Sequence, residues 1–365
     1  MATGTTSGWT TADGIGFRRA LALAGNGVEG QNPRVGCVLL DARGHAVAEG
    51  WHRGAGTAHA EVAALSAAAG RARGGTALVT LEPCAHTGRT GPCTQALLAA
   101  GVARVVYGCD DPDPVAGGGA AALVAAGVRA DLVPEQELRA ASTELVRPWA
   151  VAHRHRRPLV TWKWAATLDG RTAAADGSSR WVTGASARRD VHRLRAAHDT
   201  VLVGTGTLLA DDPALTVRDV PVREPPPRPA VMGLRAVPAS ARVLHGPVPA
   251  LLLRTRDPAQ ALARLWEAGA RRVLLEGGAH LAAAFARAGL VDDLVAYLAP
   301  RLLGSGLPAV TDLGIVSLAE AVQLDLSDVA VLGGDVRLTY RTRRPLSTTA
   351  TTDASSHAAR PEMEQ

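Results

Sequence analysis

Short β-rich runs alternate with Ala- and Leu-rich stretches of helical length along the first half of the chain, and this alternation predicts an α/β fold. The predicted helices are Phe17–Gly25, His59–Ala69, Thr94–Ala100, Gly118–Ala126 and Glu135–Arg147. The predicted strands are Val35–Leu40, Ala46–Gly50, Ala77–Leu81, Val102–Tyr107 and Val128–Leu132. Strands that are separated by helices indicate a layered α/β domain.

A second set of elements follows the polar segment His153–Pro158, which we interpret as a solvated linker rather than a metal or phosphate cluster. The strands predicted beyond it are Leu159–Ala165, Thr200–Gly204, Ala230–Gly233, Ala250–Leu253, Arg272–Leu275, Leu294–Ala299 and Val336–Arg341. The predicted helices are Ala185–His198, Pro258–Ala268 and Ala279–Ala288. We therefore predict a flexible start at 1–12, a domain at 13–152, the linker at 153–158, a second domain at 159–343 and a disordered tail at 344–365.

Composition narrows the class of protein. Of the 365 residues, 47% are hydrophobic, which is enough for two folded cores. No apolar run approaches the ~18 residues of a membrane span, and the first 17 residues show no secretory signal. Four cysteines are too few for a disulfide scaffold and suit a reducing cytoplasm.

The net charge of +5 could indicate nucleic-acid binding, but two other features of the sequence argue against it. The arginines are scattered, and aromatic residues make up only 3%, which leaves little to stack bases on. Lys163 is the sole lysine among 39 basic residues. Either chance retained it, or an arginine cannot replace its ammonium group.

Three residues of the first half have the pattern of a catalytic zinc site. His59 opens a predicted helix, Glu82-Pro-Cys84 follows a strand and opens the next, and Cys93 lies behind Gly91-Pro92 at a plausible helix start. One imidazole and two thiolates leave the fourth tetrahedral position of Zn²⁺ for water, whose pKa the metal lowers towards ~7. Glu61 is then free to move protons from this water to a leaving amine, as in zinc nucleobase deaminases.

Two alternatives remain at this site. Eight residues separate the cysteines, and they include His86, a rival ligand. A purely structural zinc site would need a fourth protein ligand, for which His86, Cys37 and Cys109 are the candidates. We interpret Cys37 and Cys109 as small buried residues instead.

A longer set of motifs carries a family resemblance. The segment Thr80–Cys93, together with Asn32–Val38 and Gly50–Gly56, resembles the bifunctional deaminase–reductases of riboflavin biosynthesis. The second half agrees through Leu168–Thr172, Ala187–Asp190, Leu209–Arg218 and Leu275–Leu281. The resemblance implies a cytidine-deaminase-like domain followed by a dihydrofolate-reductase-like domain. The first would deaminate a diaminopyrimidine carrying a phosphoribosylamino group, and the second would reduce its ribose to a ribityl chain with NADPH.

The resemblance also implies roles for individual residues. One zinc per chain would be held by His59, Cys84 and Cys93, with Glu61 as proton shuttle, while Asn32 and the loop from His86 to Arg89 hold the substrate. In the reductase, the implied substrate-binding residues are Ser179, Arg195, Leu215, Arg218 and Glu276. The implied cofactor-binding residues are Ala165, Trp181, Thr207, Asp211, Gly278, Ala279, His280, Leu281, Ala282, Ala283 and Ala284.

Elementary chemistry supports some of these assignments and leaves alternatives to others. A guanidinium matches phosphate geometry, so Arg195 and Arg218 can anchor the substrate phosphate, although Arg195 also fits a solvated helix face. Gly277-Gly278 can present backbone N–H groups to a pyrophosphate, or form a plain turn. Trp181 also fits simple packing, and Asp211 a turn.

Two positions of the second half carry predictions of their own. Met232–Arg235 replaces an Ile-Asp-Ser-like strand end of the family, so a serine contact to the cofactor is lost and Arg235 is a candidate for the 2′-phosphate of NADPH. Lys163 lies near the end of the predicted first strand of the reductase and is our candidate to reach the ribose that is reduced.

Three other functions remain open from the sequence: a nucleoside or tRNA deaminase with an accessory C-terminal domain, a zinc-stabilised binding module, and an enzyme with one active half. We expect a cytoplasmic enzyme with a small-molecule substrate, no nucleic-acid or membrane partner, and a homodimeric state.

Overall fold

The computed structural model of the protein describes residues 8–27, 32–86, 91–222 and 225–343. The predicted tail at 344–365, most of the predicted flexible start and positions 87–89 of the predicted substrate loop lie outside the described residues. The chain forms two compact units. One contains the described residues of Met1–Thr161 and Arg188–Glu276, and the other those of Trp162–Ala187 and Gly277–Gln365.

The elements up to His155 follow the predicted alternation. The helices are α1 (Thr11–Ala24), α2 (Ala60–Ala68), α3 (Cys93–Ala99), α4 (Gly119–Ala125) and α5 (Gln136–His155). The strands are β1 (Gly36–Leu40), β2 (Ala46–Trp51), β3 (Thr76–Val79), β4 (Arg104–Tyr107) and β5 (Arg129–Leu132).

These strands form a sheet in the order β2-β1-β3-β4-β5, in which β1 is antiparallel to its neighbours and β3, β4 and β5 are parallel. Successive strand residues point to opposite faces. Cys37 and Leu39 of β1 therefore pack with α2, α3 and α4, while Val38 and Leu40 pack with α1 and the start of α5. Two apolar layers thus cover a central sheet.

Two helices of this sheet domain are longer than their hydrophobic pattern predicts. Thr10 and Asp13 form a reciprocal capping box, so α1 begins at Thr11 rather than at Phe17. Thr11 and Ala12, predicted to be flexible, are therefore helical.

The predicted linker is also partly wrong. Helix α5 continues through Pro148 to His155, because Val146 and Ala152 on either side of the proline are buried and anchor it. The helix ends where Arg156 adopts a left-handed conformation with φ of 50°. Thus His153 and His155 belong to the last helical turn, and a connection remains only at 156–158.

The elements after His155 also alternate. The strands are β6 (Leu159–Thr167), β7 (Arg171–Ala173), β8 (Thr200–Gly204), β9 (Arg228–Met232), β10 (Leu251–Leu253), β11 (Arg272–Leu275), β12 (Asp293–Ala299), β13 (Leu307–Pro308), β14 (Leu324–Leu332) and β15 (Asp335–Thr342). The α-helices are α6 (Ala185–Ala196), α7 (Thr205–Asp211), α8 (Pro258–Glu267) and α9 (Ala279–Arg287). Short 3-10 turns lie at Arg242–His245 and Leu318–Glu320.

In the first unit, β10-β9-β8-β11 run parallel in that order. In the second, the strand order is β6-β12-β15-β14, with β12, β15 and β14 antiparallel. The hydrophobic pattern missed β7, α7, β13 and β14. Strand β14 was missed because most of its residues are exposed and Asp325 and Asp328 interrupt its apolar positions.

Within the described residues, no helix combines the length and the apolar character that crossing a membrane requires.

Candidate active sites

His59, Cys84 and Cys93 converge on one point, as the sequence predicted. Their ligand atoms all lie within 4.8 Å of one another. His59 Nδ1 is 3.2 Å from Cys93 Sγ and 3.6 Å from Cys84 Sγ. In a tetrahedral zinc site, nitrogen and sulfur ligands are about 3.5 Å apart. The donor set and its spacing therefore fit one Zn²⁺.

Three local structures place these ligands. His59 is the residue that precedes α2, and its carbonyl accepts a hydrogen bond from Ala63 N. Cys93 is the first residue of α3. The prediction that Cys84 opens a helix is wrong, because the residue lies in an irregular segment after β3. Its sulfur nevertheless meets the start of α3, because Cys93 N donates to Cys84 Sγ over 3.4 Å.

The two sulfurs are electrostatically linked. A hydrogen bond from Cys93 lowers the pKa of Cys84 to about 4, with His59 adding to the effect. The same shared proton raises the pKa of Cys93. Without metal the pair is therefore one thiolate and one thiol, whereas a bound Zn²⁺ favours two thiolates.

Glu61 lies in the first turn of α2 and is 4% exposed. Burial raises the pKa of its carboxyl from the ordinary value of 4.5. The residue lines the same cavity as His59 and Cys84. A carboxyl group with a raised pKa exchanges protons more readily near neutral pH.

The cavity in front of the cluster has a volume of about 430 Å³, which suits one small ligand. Asn32 lines it, as the family resemblance implied, and Asn32 Nδ2 lies 3.1 Å from His52 Nε2. His52 Nδ1 in turn lies 3.1 Å from the carbonyl of Ala58. Because the amide and the ring Nδ1 donate, His52 is neutral, and burial lowers its pKa.

Sequence reasoning assigned no role to His52, Asp111 or Arg271, which also line this cavity. Burial raises the pKa of Asp111 to about 6. His52 lies in the Gly50–Gly56 family motif, and this position in the motif could have indicated a role for it in the site. Arg271 follows Ala270 in the second half of the chain, and no local motif could connect it with the zinc ligands.

The alternative ligands do not join the cluster. Among the described residues, the metal-compatible group contains only His59, Cys84 and Cys93. His86 lines the cavity instead, and its buried Nδ1 has no hydrogen-bond partner in the described structure. Cys37 is fully buried in β1, while Cys109, which is partly exposed, contacts the carbonyl of Thr80 through Sγ over 3.7 Å.

Arg195 and Glu276, both assigned to the reductase substrate, contact each other directly. Arg195 Nε and Nη2 donate to the two carboxylate oxygens of Glu276 over 2.6 and 2.9 Å. Arg195 Nη1 donates to the carbonyl of Thr216. The guanidinium fork predicted to bind phosphate is thus occupied by Glu276, and Arg195 is not on a solvated helix face, since its side chain is 13% exposed.

Several predicted reductase residues lie in the same compact unit as Arg195. Thr207 and Asp211 are on α7, Leu215 is buried with φ of 54°, and Arg218 is exposed. Arg235 lies over the first turn of α7, since a Cβ atom on Gly206 would be 3.0 Å from Arg235 Nη2.

The other predicted reductase residues lie in the second compact unit. Lys163 and Ala165 are on β6, and Lys163 Nζ lies 5.8 Å from the centre of the Tyr297 ring. Ser179 is exposed, and Trp181, which is 61% exposed, accepts a hydrogen bond from Arg301 through its carbonyl. This exposure argues against a core-packing role for Trp181.

The predicted pyrophosphate site lies at the start of α9, which Gly278 precedes. Leu281 N and Ala282 N already donate to the Gly278 carbonyl, and Ala282 and Ala283 are buried. The exposed positions of this turn are Gly278 and His280, with Ala279, Leu281 and Ala284 partly exposed. The side chains of Ala282 and Ala283, two of the predicted cofactor-binding residues, are therefore not exposed to a ligand.

Two family models match the chain. "RibD C-terminal domain" matches residues 158–338, and "Cytidine and deoxycytidylate deaminase zinc-binding region" matches residues 12–109.

Curated relatives extend over most of the chain. The riboflavin biosynthesis protein RibD of Mycobacterium tuberculosis is 44% identical over 315 residues, which are 85% of this chain and 91% of the relative. The RibD protein of Escherichia coli is 38% identical over 362 residues, covering 88% of this chain and 96% of the relative.

Solved structures agree with these matches. RibD of Acinetobacter baumannii has a TM-score of 0.80 at 35% identity, with 91% of this chain and 99% of that chain covered. A Thermotoga maritima protein titled diaminohydroxyphosphoribosylaminopyrimidine deaminase/5-amino-6-(5-phosphoribosylamino)uracil reductase has a TM-score of 0.81 at 28% identity, with the same coverage.

Proposed function

The chain belongs to the RibD family of bifunctional riboflavin-biosynthesis enzymes, and from this premise we propose which substrate each half takes and which residues act on it. The protein is a deaminase and a reductase. It joins a zinc-binding, cytidine-deaminase-like domain to a dihydrofolate-reductase-like domain that uses NADPH. Its first substrate is a diaminopyrimidine with a phosphoribosylamino group, and its second is the deaminated product.

One observation carries the deaminase proposal. His59, Cys84 and Cys93 converge within 4.8 Å, and the buried carboxyl of Glu61 lines the same cavity as two of them. Three protein ligands leave one zinc position open, which is the arrangement of catalytic rather than structural sites.

In the deamination, water replaces the ring amino group, and ammonia leaves. Zinc, when bound by His59, Cys84 and Cys93, makes water a nucleophile at neutral pH. Glu61 accepts a proton as water attacks the ring and delivers it to the departing amine. Asn32, fixed by its hydrogen bond with His52, binds the pyrimidine edge, and His86 binds beside it.

In the reduction, the open-chain ribose carbonyl or its imine gains a hydride and a proton. NADPH supplies the hydride. Lys163 places its ammonium group at the ribose, and Ser179, Leu215 and Arg218 bind the rest of the substrate. The Arg195–Glu276 pair contributes to substrate binding as a unit, because its two members are already hydrogen-bonded to each other.

The cofactor contacts that we propose are Ala165, Trp181, Thr207, Asp211 and the segment Gly278–Ala284. Arg235, above the first turn of α7, is proposed to meet the 2′-phosphate. The deaminase domain, predicted at 13–152, is proposed to span 11–155 so that it contains the whole of α1 and α5, and the reductase domain is proposed at 159–343.

We also propose that the enzyme works in the cytoplasm as a homodimer. The free cysteines support a reducing compartment. Exposed apolar residues on β14, namely Leu326, Val329 and Val331, support association with a second copy. The alternative, a nucleoside or tRNA deaminase with an accessory C-terminal domain, does not explain why residues 158–338 match the RibD C-terminal domain.

The test of this function is ammonia release by the zinc-loaded full chain. We expect release from the diaminopyrimidine ribotide and none from cytidine. Release from cytidine alone would contradict the proposed substrate and support the nucleoside deaminase.

A further inference from the structure

Arg271 connects the deaminase cavity with the second half of the sequence. It immediately precedes β11, more than 200 positions after His59, yet it lines the cavity that His59, Glu61 and Cys84 also line. All of these residues belong to the same compact unit. The cavity is therefore not built from the N-terminal sequence alone.

A run of contacts between aromatic rings fixes the position of Arg271. The Trp149 and His153 rings of α5 lie 4.8 Å apart, and His153 contacts Trp266 of α8 edge-on at 5.7 Å. The Arg271 guanidinium lies 3.6 Å from the centre of the Trp266 ring. Because Trp149 and His153 also line the cavity, these contacts hold the guanidinium at its wall.

The Arg271 guanidinium is buried, which lowers its pKa, and the Asp199 carboxylate offsets only part of that effect. The residue is 8% exposed. Nη1 donates to the carbonyls of Ala270 and Trp266 over 2.8 and 3.2 Å, and buried Nε has no hydrogen-bond partner in the described structure. No carboxylate of the described residues forms an ion pair with this guanidinium. Burying a cation that has no ion-pair partner is costly, so such a group favours an anionic ligand.

The remaining charged groups of the cavity give such a ligand a direction. Among the described residues that line it, Arg271 is the sole arginine or lysine, whereas Glu61, Glu82, Asp111 and Asp113 are acidic. The acidic groups repel a phosphate, and Arg271 attracts it. Among these charged side chains, Arg271 is therefore the one that attracts the phosphate of an anionic substrate.

We propose that Arg271 binds the phosphate of the ribotide during deamination and so selects the phosphorylated substrate. This proposal rests on the substrate class given above. A guanidinium suits the task because it stays charged when buried and presents planar N–H donors to phosphate oxygens. The reductase half of the sequence thus supplies a specificity-determining residue to the deaminase site.

The test compares Arg271→Met with the wild-type full chain. The methionine side chain is unbranched and apolar, so it can still pack against Trp266, but it lacks the positive charge of arginine. Ammonia release is measured on the diaminopyrimidine ribotide and on the same compound without its phosphate. We expect KM for the ribotide to rise about 10- to 100-fold, with kcat changed far less, and KM for the unphosphorylated compound to stay the same.

Two further variants complete the design. Arg264→Met removes an exposed charge from α8 outside the cavity and is expected to leave both KM values unchanged. Arg271→Lys is expected to recover part of the lost ribotide affinity, because it restores the charge without the planar fork.

Equal KM values for Arg271→Met and wild type on the ribotide would overturn the proposal, and so would an equal rise on both compounds, which would indicate a structural role. Wild-type enzyme that releases no ammonia from the ribotide would instead contradict the proposed function itself. The two failures are therefore distinguishable.

Discussion

In the proposed deamination, Glu61 is the side chain that transfers the proton. It is buried in the first turn of α2 beside the zinc ligands. We expect Glu61→Gln to lower kcat for deamination about 10²- to 10⁴-fold, because glutamine cannot carry a proton between water and the amine. Zinc content, measured by atomic absorption, is expected to stay at one per chain.

The control for this variant is Glu137→Gln, which changes an exposed carboxylate on α5. NADPH-dependent reduction of the deaminated substrate is expected to be normal in both variants. Normal ammonia release by Glu61→Gln would refute the role assigned to Glu61.

In the proposed reduction, Lys163 is the side chain that contacts the ribose. Its ammonium lies 5.8 Å from the Tyr297 ring centre, on β6. We expect Lys163→Arg to lower kcat for reduction at least about tenfold, since a guanidinium is larger and holds its proton more firmly than an ammonium. Deamination by the same protein is expected to match wild type.

Steady-state kinetics of NADPH oxidation measure this effect, and NADPH affinity is determined separately by titration. A reductase turnover that is unchanged in Lys163→Arg would indicate that the single lysine survived by chance.

At the residue scale, the zinc site could be predicted because its residues lie close together in the sequence, within recognisable motifs. His59 and Glu61 are two positions apart, and Cys84 and Cys93 belong to one continuous motif. His52 and Arg271 could not be assigned in this way, because their roles depend on neighbours from distant parts of the chain, Asn32 for one and Trp266 for the other. The Arg195–Glu276 ion pair was missed for the same reason, since 81 positions separate the two residues.

At the scale of elements, His198 joins the end of α6 to β6. A solvated face was one alternative for the predicted helix Ala185–His198, but His198 is only 5% exposed. Its Nδ1 is 2.7 Å from the carbonyl of Leu194, and its Nε2 is 3.0 Å from Thr161 Oγ1. The ring is therefore neutral, donating to Leu194 and accepting from Thr161, and burial lowers its pKa to about 3.

This neutral histidine predicts acid sensitivity. The folded pKa lies below the unfolded value, so the stabilisation is fully present above pH ~6.5 and is lost as the pH falls towards 3. The loss amounts to about 1.4 kcal/mol per pH unit. Between pH 7 and pH 5, the advantage of wild type over His198→Gln in unfolding free energy should shrink by about 2 kcal/mol.

Urea unfolding of both proteins at the two pH values measures this difference. His245→Gln, which changes an exposed histidine, is the control and should show no such change. A stability difference between wild type and His198→Gln that is independent of pH would contradict a neutral buried ring.

Hydrophobic periodicity placed most elements within a few residues, and its errors have local causes. It could not detect the capping box of Thr10 and Asp13, because both residues are polar. It ended α5 before Pro148, although packing of Ala152 carries the helix onward. Strand β14 lacks a buried face for most of its length, so pairing with β15 rather than apolar alternation defines it.

At the scale of the whole molecule, one chain joins a zinc-binding deaminase domain to a reductase domain that uses NADPH. In the proposed mechanism, the zinc ligands and Glu61 replace an amine by oxygen, and the reductase residues then add a hydride and a proton to the product. Arg271 makes the deaminase cavity depend on sequence beyond position 158.

The central claim is that both reactions occur on this chain, in this order. Mass spectrometry of the products formed from the diaminopyrimidine ribotide, with and without NADPH, tests it most directly. The account predicts replacement of an amino group by oxygen without NADPH and a further gain of two hydrogens with it. An unchanged ribotide after incubation with the zinc-loaded enzyme and NADPH, or reduction before deamination, would contradict the account.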